Sequence, residues 1–231
     1  MEAGAGTMVA RRARLARTAA VLVAAGLVGA AGGAAGHFIL GGGSHPASVV
    51  TQRFGMDGQA AWAAGARVAP AIDTLPDQTG RRFSLASLRG HPVALVFFDS
   101  HCNQGCPLEG RELAGAEASL PAAERPVLVA VSVNPLDTPA SAAKAAREWK
   151  LAGVAPWHWL MGSRAALAPV WREYDIYVGP AKDGDIPHTE ALILIDRRGY
   201  ERSAYLYPFG QPFVTHDLAV LGREPAPRRA T

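Results

Sequence analysis

The sequence predicts an α/β domain, a central mixed sheet flanked by helices, carried behind an N-terminal transmembrane helix. Three observations support this. From residue 92 onward, apolar runs of strand length alternate with stretches of helical periodicity. Near the C-terminus two apolar runs face each other across a tight turn. Residues 18–40, "TAAVLVAAGLVGAAGGAAGHFIL", contain no Asp, Glu, Lys or Arg. Alternation gives parallel strands covered by helices, and a terminal hairpin adds antiparallel ones.

Roughly 20 apolar residues cross the hydrocarbon core of a bilayer. Arg11, Arg12, Arg14 and Arg17 precede the apolar run, and such a flank stays in the cytoplasm. Residues 1–17 are therefore expected as a cytoplasmic basic segment and 18–40 as a single-pass anchor in the cell membrane. The remainder is expected on the extracytoplasmic face. A cleaved signal peptide is the rival reading of 18–40, because its small residues suit a peptidase. A mitochondrial transit peptide fits less well, since residues 1–17 lack Ser and include Glu2. Both leading readings place the domain where paired thiols can oxidise.

The same flank explains the net charge of +3, because the remaining 19 basic and 19 acidic residues cancel. The body of the protein has no basic footprint, which argues against nucleic acid as a partner.

The elements follow in order. "GGGSHPASV" reads as a flexible spacer, and residues 41–66 lack periodicity and are expected as a linker. The domain is expected over 67–222. Residues 68–90 read as short strands around a turn at Asp77–Gly80, then a short helix or turn. "PVALVFF" (92–98) is a strand buried on both faces. "CPLEGRELAGAEASL" is a helix with Pro107 in its first turn. "RPVLVAVSVNP" (125–135) is a second buried strand, followed by a helix capped by Asp137 or Thr138, with Pro139 just inside. "WHWLMG" is a short strand, and Ser163 caps the next helix. A Gly/Pro/Asp loop, "GPAKDGDIP", leads to strands 190–196 and 200–208 across the turn "RRG". A closing helix follows, and residues 223–231 are expected as a disordered tail.

The chain has two cysteines, Cys102 and Cys106. Cys102 falls in a strand-to-helix loop and Cys106 in the first helical turn, where the helix N-terminus favours a thiolate. Residues four apart on a helix face one way, with Cα atoms about 6 Å apart, inside the disulfide range of about 4.4–6.8 Å. The pair can close reversibly, or both sulfurs can point at one soft metal ion. A purely structural disulfide would close a very short loop and gain little entropy. Thiolates favour Cu(I), zinc and iron–sulfur centres. Structural zinc wants four ligands, so any metal here needs imidazole as well.

"PVALVFFDSHCNQGCPLEGREL", "VLVAVSVNPLDTPASA", "WHWLMGSRAALAPVWREY" and "HTEALILIDRRG" resemble, in order, the motif blocks of the Sco/SenC family, over about residues 68–222. The resemblance implies a thioredoxin-like fold, usually membrane-anchored. It also implies one copper ion, Cu(I) or Cu(II), held through Cys102, Cys106 and His188. The implied partner is the copper-site subunit of cytochrome oxidase or another copper acceptor, to which the family delivers copper or whose cysteines it keeps reduced. Two departures stand out. The interval between the cysteines is Asn103-Gln104-Gly105, without the family's frequent acidic residue. His188 lies between Pro187 and Thr189 rather than Asp and Ser. Its place at the entrance to an apolar strand has physical merit of its own, because ligand sites in such sheets gather at strand ends.

The other candidates have plainer readings. His101 is expected as an exposed loop residue beside Cys102, His158 as structural, and His216 as surface. Asp99 reads as a loop cap, Met161 as a strand-end core residue, and Trp149, Trp157, Trp159 and Trp171 as packing groups. Two functions remain, a copper metallochaperone without turnover and a thiol–disulfide oxidoreductase. Three residues between the cysteines, where thioredoxin-type oxidoreductases favour two, and His188 both lean toward the chaperone. The opening of the domain also resembles that of peroxiredoxins, but the setting of a single activated cysteine is missing.

Overall fold

The computed structural model describes residues 53–154, 156–181 and 186–227. Six strands form one sheet: β1 (Ala60–Ala61), β2 (Val93–Phe98), β3 (Val127–Ser132), β4 (Trp157–Leu160), β5 (Ala191–Ile195) and β6 (Glu201–Leu206). Their spatial order is β1-β6-β5-β2-β3-β4. β2, β3 and β4 run parallel, whereas β5 pairs with β2, and β6 with β5 and β1, antiparallel. Among the described residues four α-helices connect or follow the strands: α1 (Gly105–Ala118), α2 (Pro139–Glu148), α3 (Arg164–Glu173) and α4 (Gln211–Arg223). The mixed sheet flanked by helices is the expected architecture.

Every residue of β2, β3 and β5 is buried, as continuous apolar runs require. The period of two splits each strand between two cores. Ala94, Val96 and Phe98 face one core with Leu113 of α1, Ala142 of α2 and Leu218 of α4. Val93, Leu95 and Phe97 face the other with Leu167 and Trp171 of α3 and with Ile72, Leu75 and Phe83. Phe98, Trp149 and Trp159 form an aromatic cluster, with ring centroids 5.2–5.8 Å apart. Each such pair contributes about 0.5–1.5 kcal/mol beyond its buried area. Met161 is buried in the same core.

The helix starts follow their caps. The Thr138 hydroxyl accepts from the Ser141 N–H, and the Ser141 hydroxyl accepts from the Thr138 N–H, a reciprocal capping box. Thr138 is thus the cap of α2, and Asp137 is left for another task. Between β5 and β6, Gly199 has φ +89°, which favours glycine. Asp196 closes this turn by accepting from the Arg198 and Tyr200 N–H groups.

Two expected boundaries move. Residues 53–66, expected within the linker, belong to the folded body. Met56 is fully buried in the core, the Asp57 N–H donates to the Asp217 carboxylate at 2.7 Å, and β1 extends the sheet edge along β6. A two-residue strand held by backbone pairing leaves no periodicity to read. At the other end, Arg223 completes α4, and Glu224 pairs with the buried Arg202. His216, expected as surface, is only half-exposed and stands 3.2 Å from Asp57 and 3.1 Å from Asp217. Among the described residues no helix is long and apolar enough to cross a membrane, and the expected span 18–40 lies outside them.

Candidate metal centre

β2 delivers the chain to the centre of the sheet, and at its end the backbone turns sharply. The buried Asp99 carboxylate accepts from the His101 N–H at 2.8 Å and from Asn134 Nδ2 at 2.9 Å, the loop-capping role expected of it. The Cys102 N–H closes the turn on the Asp99 carbonyl at 3.1 Å. α1 starts three residues later, so Cys102 is half-buried at the loop and Cys106, the second helical residue, is fully buried. The two are thiols. A hydrogen bond with Cys102, reinforced by burial, pushes the Cys106 thiol well above its ordinary range. The Gln104 N–H points at the Cys102 sulfur at 3.5 Å.

His188 arrives from the other side. Segment 177–179 pairs antiparallel with 187–189 through the Gly179 N–H to the Pro187 carbonyl (2.8 Å) and the Thr189 N–H to the Tyr177 carbonyl (2.9 Å). This pairing fixes His188 three residues before β5. Nδ1 lies 2.8 Å from the Ile186 carbonyl. Both ring nitrogens face carbonyls, which only accept; the shorter approach, at Nδ1, orients the ring, and Nε2 is the nitrogen on the side of the Cys106 sulfur. Nε2 lies 3.9 Å from the Cys106 sulfur and 3.2 Å from the Phe97 carbonyl.

Glu190, which sequence reasoning missed, joins them. Ligand atoms of Cys106, His188 and Glu190 lie within 4.8 Å of one another. Cys102 stands outside this triad but lines the same cleft of about 320 Å³, with Gln104, Gly105, Ile186, Pro187, His188 and Glu190. The available signal was an acidic residue two positions after the histidine, at the mouth of an apolar strand. One turn along α1 from Cys106, Glu109 is fully buried, and neither of its oxygens has a hydrogen-bond partner among the described residues. Burial, with Glu190 and Cys102 adding repulsion, holds its carboxyl well above the usual range.

The loop that carries Cys102 is braced from beneath by Asp137. Its carboxylate accepts from the Ser100 hydroxyl (2.6 Å), the Ser132 hydroxyl (2.5 Å) and Trp159 Nε1 (3.2 Å). His101, nearly half-exposed as expected of a loop residue, sets Nδ1 3.1 Å from the same carboxylate. His158 is structural as expected, 3.2 Å from Asp77. A larger cleft of about 390 Å³, lined by Trp62, Arg67, Tyr174 and Glu201 among others, has no thiol or imidazole among the described residues that line it.

Two sulfurs, an imidazole nitrogen and a carboxylate around one cleft are a donor set for a soft or borderline metal ion. The same sulfurs can form a disulfide. Fold and site together define a thioredoxin-like α/β protein with a thiol–imidazole centre at the end of its central strand. Residues 73–221 match the SCO1/SenC family, and the chain belongs to that family. No curated protein matches it in sequence. Among solved structures, it is similar to ScoI of Bradyrhizobium japonicum with copper bound, at 27% identity and a TM-score of 0.54, over 67% of this chain and 99% of that one. Arabidopsis thaliana ScoI with copper bound shares the fold at 22% identity and a TM-score of 0.58, over 68% and 98%. So does BsSco, a member of the Sco family of cytochrome c oxidase assembly proteins in which a disulfide switch was identified, at 18% identity and a TM-score of 0.59, over 72% and 100%.

Proposed function

We propose that this chain is a membrane-anchored, extracytoplasmic copper metallochaperone. It holds one copper ion as cargo, Cu(I) or Cu(II), through Cys102, Cys106 and His188. It passes the ion to the copper-site subunit of cytochrome oxidase or to another copper acceptor. The observation that carries this reading is the approach of His188 Nε2 to the Cys106 sulfur at 3.9 Å, because thiol exchange alone has no use for a nitrogen donor. The copper held by the Bradyrhizobium and Arabidopsis relatives supports it. The anchor reading rests on the charge-free run 18–40 behind four Arg residues.

The residues divide the task. Metal binding replaces the thiol protons, so the buried, high-lying Cys106 thiol gives up its proton only to a cation that binds it strongly. Cys102, at the rim, is the sulfur an acceptor reaches first, and handover proceeds by exchange of one ligand at a time. His188, its ring oriented by the Ile186 carbonyl, brings Nε2 to the Cys106 sulfur.

A second reading is favoured by two thiols four residues apart where the loop enters α1, one at the rim and one buried. The more exposed Cys102 thiolate attacks a partner disulfide, releasing one partner thiol. Cys106 then attacks the mixed disulfide, leaving a Cys102–Cys106 disulfide and a second partner thiol, so two electrons pass to the partner.

Copper stoichiometry of the reduced full chain tests the first reading, beside His188→Ala and a Cys102→Ser/Cys106→Ser double variant. One copper per chain is expected, weakened by His188→Ala and abolished by the double variant. Equal copper retention by all three chains would sink it.

A further inference from the structure

Glu190 is the least explained charged group in the cleft. Its carboxylate approaches the Cys106 sulfur and the His188 nitrogen within 4.8 Å, and it accepts no hydrogen bond from any described residue. Its position depends on the residue at 105. A Cβ built on Gly105 would lie 1.8 Å from Glu190 Oε1 and 2.6 Å from its Cδ, so the carboxylate occupies space that only glycine leaves open. Gly105 is also the first residue of α1, whose exposed N–H groups carry partial positive charge. Among the described residues the cleft is lined by no Lys or Arg. A carboxylate placed there beside a thiol and an imidazole is what a cation would neutralise.

We propose that Glu190 is a fourth copper ligand, completing a Cys₂-His-Glu set, and that Gly105 is the residue that lets it reach the metal. The inference rests on the copper reading above. Two or three soft donors satisfy Cu(I), whereas Cu(II) takes four-coordinate tetragonal sites and accepts nitrogen and oxygen. A carboxylate oxygen therefore favours the oxidised ion far more than the reduced one. Glu190 holds Cu(II) in the site and lowers the reduction potential of the bound couple.

The test loads the full chain, Glu190→Gln and Gly105→Ala separately with Cu(II) and with Cu(I). Affinities are measured by chelator competition, and the Cu(II) forms are compared by electron paramagnetic resonance. Glu190→Gln is expected to weaken Cu(II) by about 10- to 100-fold, the range for groups that shape a metal site. It should alter the copper hyperfine pattern and leave Cu(I) affinity nearly unchanged. The potential should rise by about 59 mV for each tenfold loss. Gly105→Ala, which displaces the carboxylate and removes no donor, is expected to shift the spectrum in the same direction. Unchanged Cu(II) affinity and spectrum in Glu190→Gln, with the parent holding copper, overturns the Glu190 assignment and leaves the copper reading standing. A parent chain that holds neither ion overturns both.

Discussion

His188 Nε2 lies 3.9 Å from the Cys106 sulfur although 82 residues separate them in sequence. The pair joins the start of α1 to the strand entering β5, so an ion bound there ties two distant segments together. A ligand that binds only the folded state stabilises it by about 2.7 kcal/mol at one hundred times its dissociation constant. Reduced full chain with copper at that excess should unfold at correspondingly higher denaturant, and Cys106→Ser should lose the gain. An identical copper-induced shift in parent and variant would place the metal elsewhere.

The two thiols should differ sharply in reactivity. Cys106 is fully buried and its thiol is pushed up, whereas Cys102 is half-buried at the rim. Alkylation of the reduced, metal-free protein followed by peptide mass mapping should label Cys102 first, with Cys106 following only after unfolding. Equal labelling in the folded protein would contradict the buried geometry.

Asp137 braces the Cys102 loop from below. Asp137→Ala strips acceptors from the Ser132 hydroxyl, the Ser100 hydroxyl and Trp159 Nε1. Each buried group left unpaired costs about 1–3 kcal/mol, and Ser132 still accepts from Trp159 at 2.9 Å. A net loss of about 2–4 kcal/mol in denaturant unfolding is expected. A change within about 0.5 kcal/mol, as at ordinary surface positions, would show that the network carries little stability.

Glu117 makes stability depend on pH. Burial pushes its carboxyl up to about 8, against the ordinary 4.5, with Arg125 opposing. The folded chain keeps this proton where the unfolded chain has lost it. Stability is therefore fullest below pH 4.5 and falls as pH rises toward 8, by at most about 1.4 kcal/mol per pH unit. Urea unfolding at pH 5 and pH 8 should show this decline in the parent and a weaker one in Glu117→Gln. The same slope in both would assign it to other groups.

Met56 tests where the folded body begins. It is fully buried against the core, and Met56→Ala should cost about 2–5 kcal/mol. A negligible change would return residues 53–66 to the role of a linker.

Much of this was legible because the physics was local. The buried strands at 93–98, 127–132 and 191–195 announce themselves as unbroken apolar runs. The helix starts at Pro139 and Arg164 follow from Thr138 and Ser163. The cysteine pair and His188 were readable from residue type, spacing and family pattern. What escaped depends on groups far apart in sequence. β1 is two residues long and exists because β6 offers it backbone partners. Asp137 looked like a helix cap, but the Thr138–Ser141 box satisfied that need and left its carboxylate to Ser100, Ser132 and Trp159.

The family, the mixed α/β architecture and the residue types able to hold copper or form a disulfide are all written in short stretches of chain. Short-range periodicity and motif spacing suffice for those. Which sulfur is buried and which lies at the rim, and the meeting of Glu190 with Cys106 and His188, come from long-range packing. Those relations are set where the end of β2, the start of α1 and the entry to β5 converge in space. Three segments that share no local sequence signal are brought together by the packing of the whole sheet.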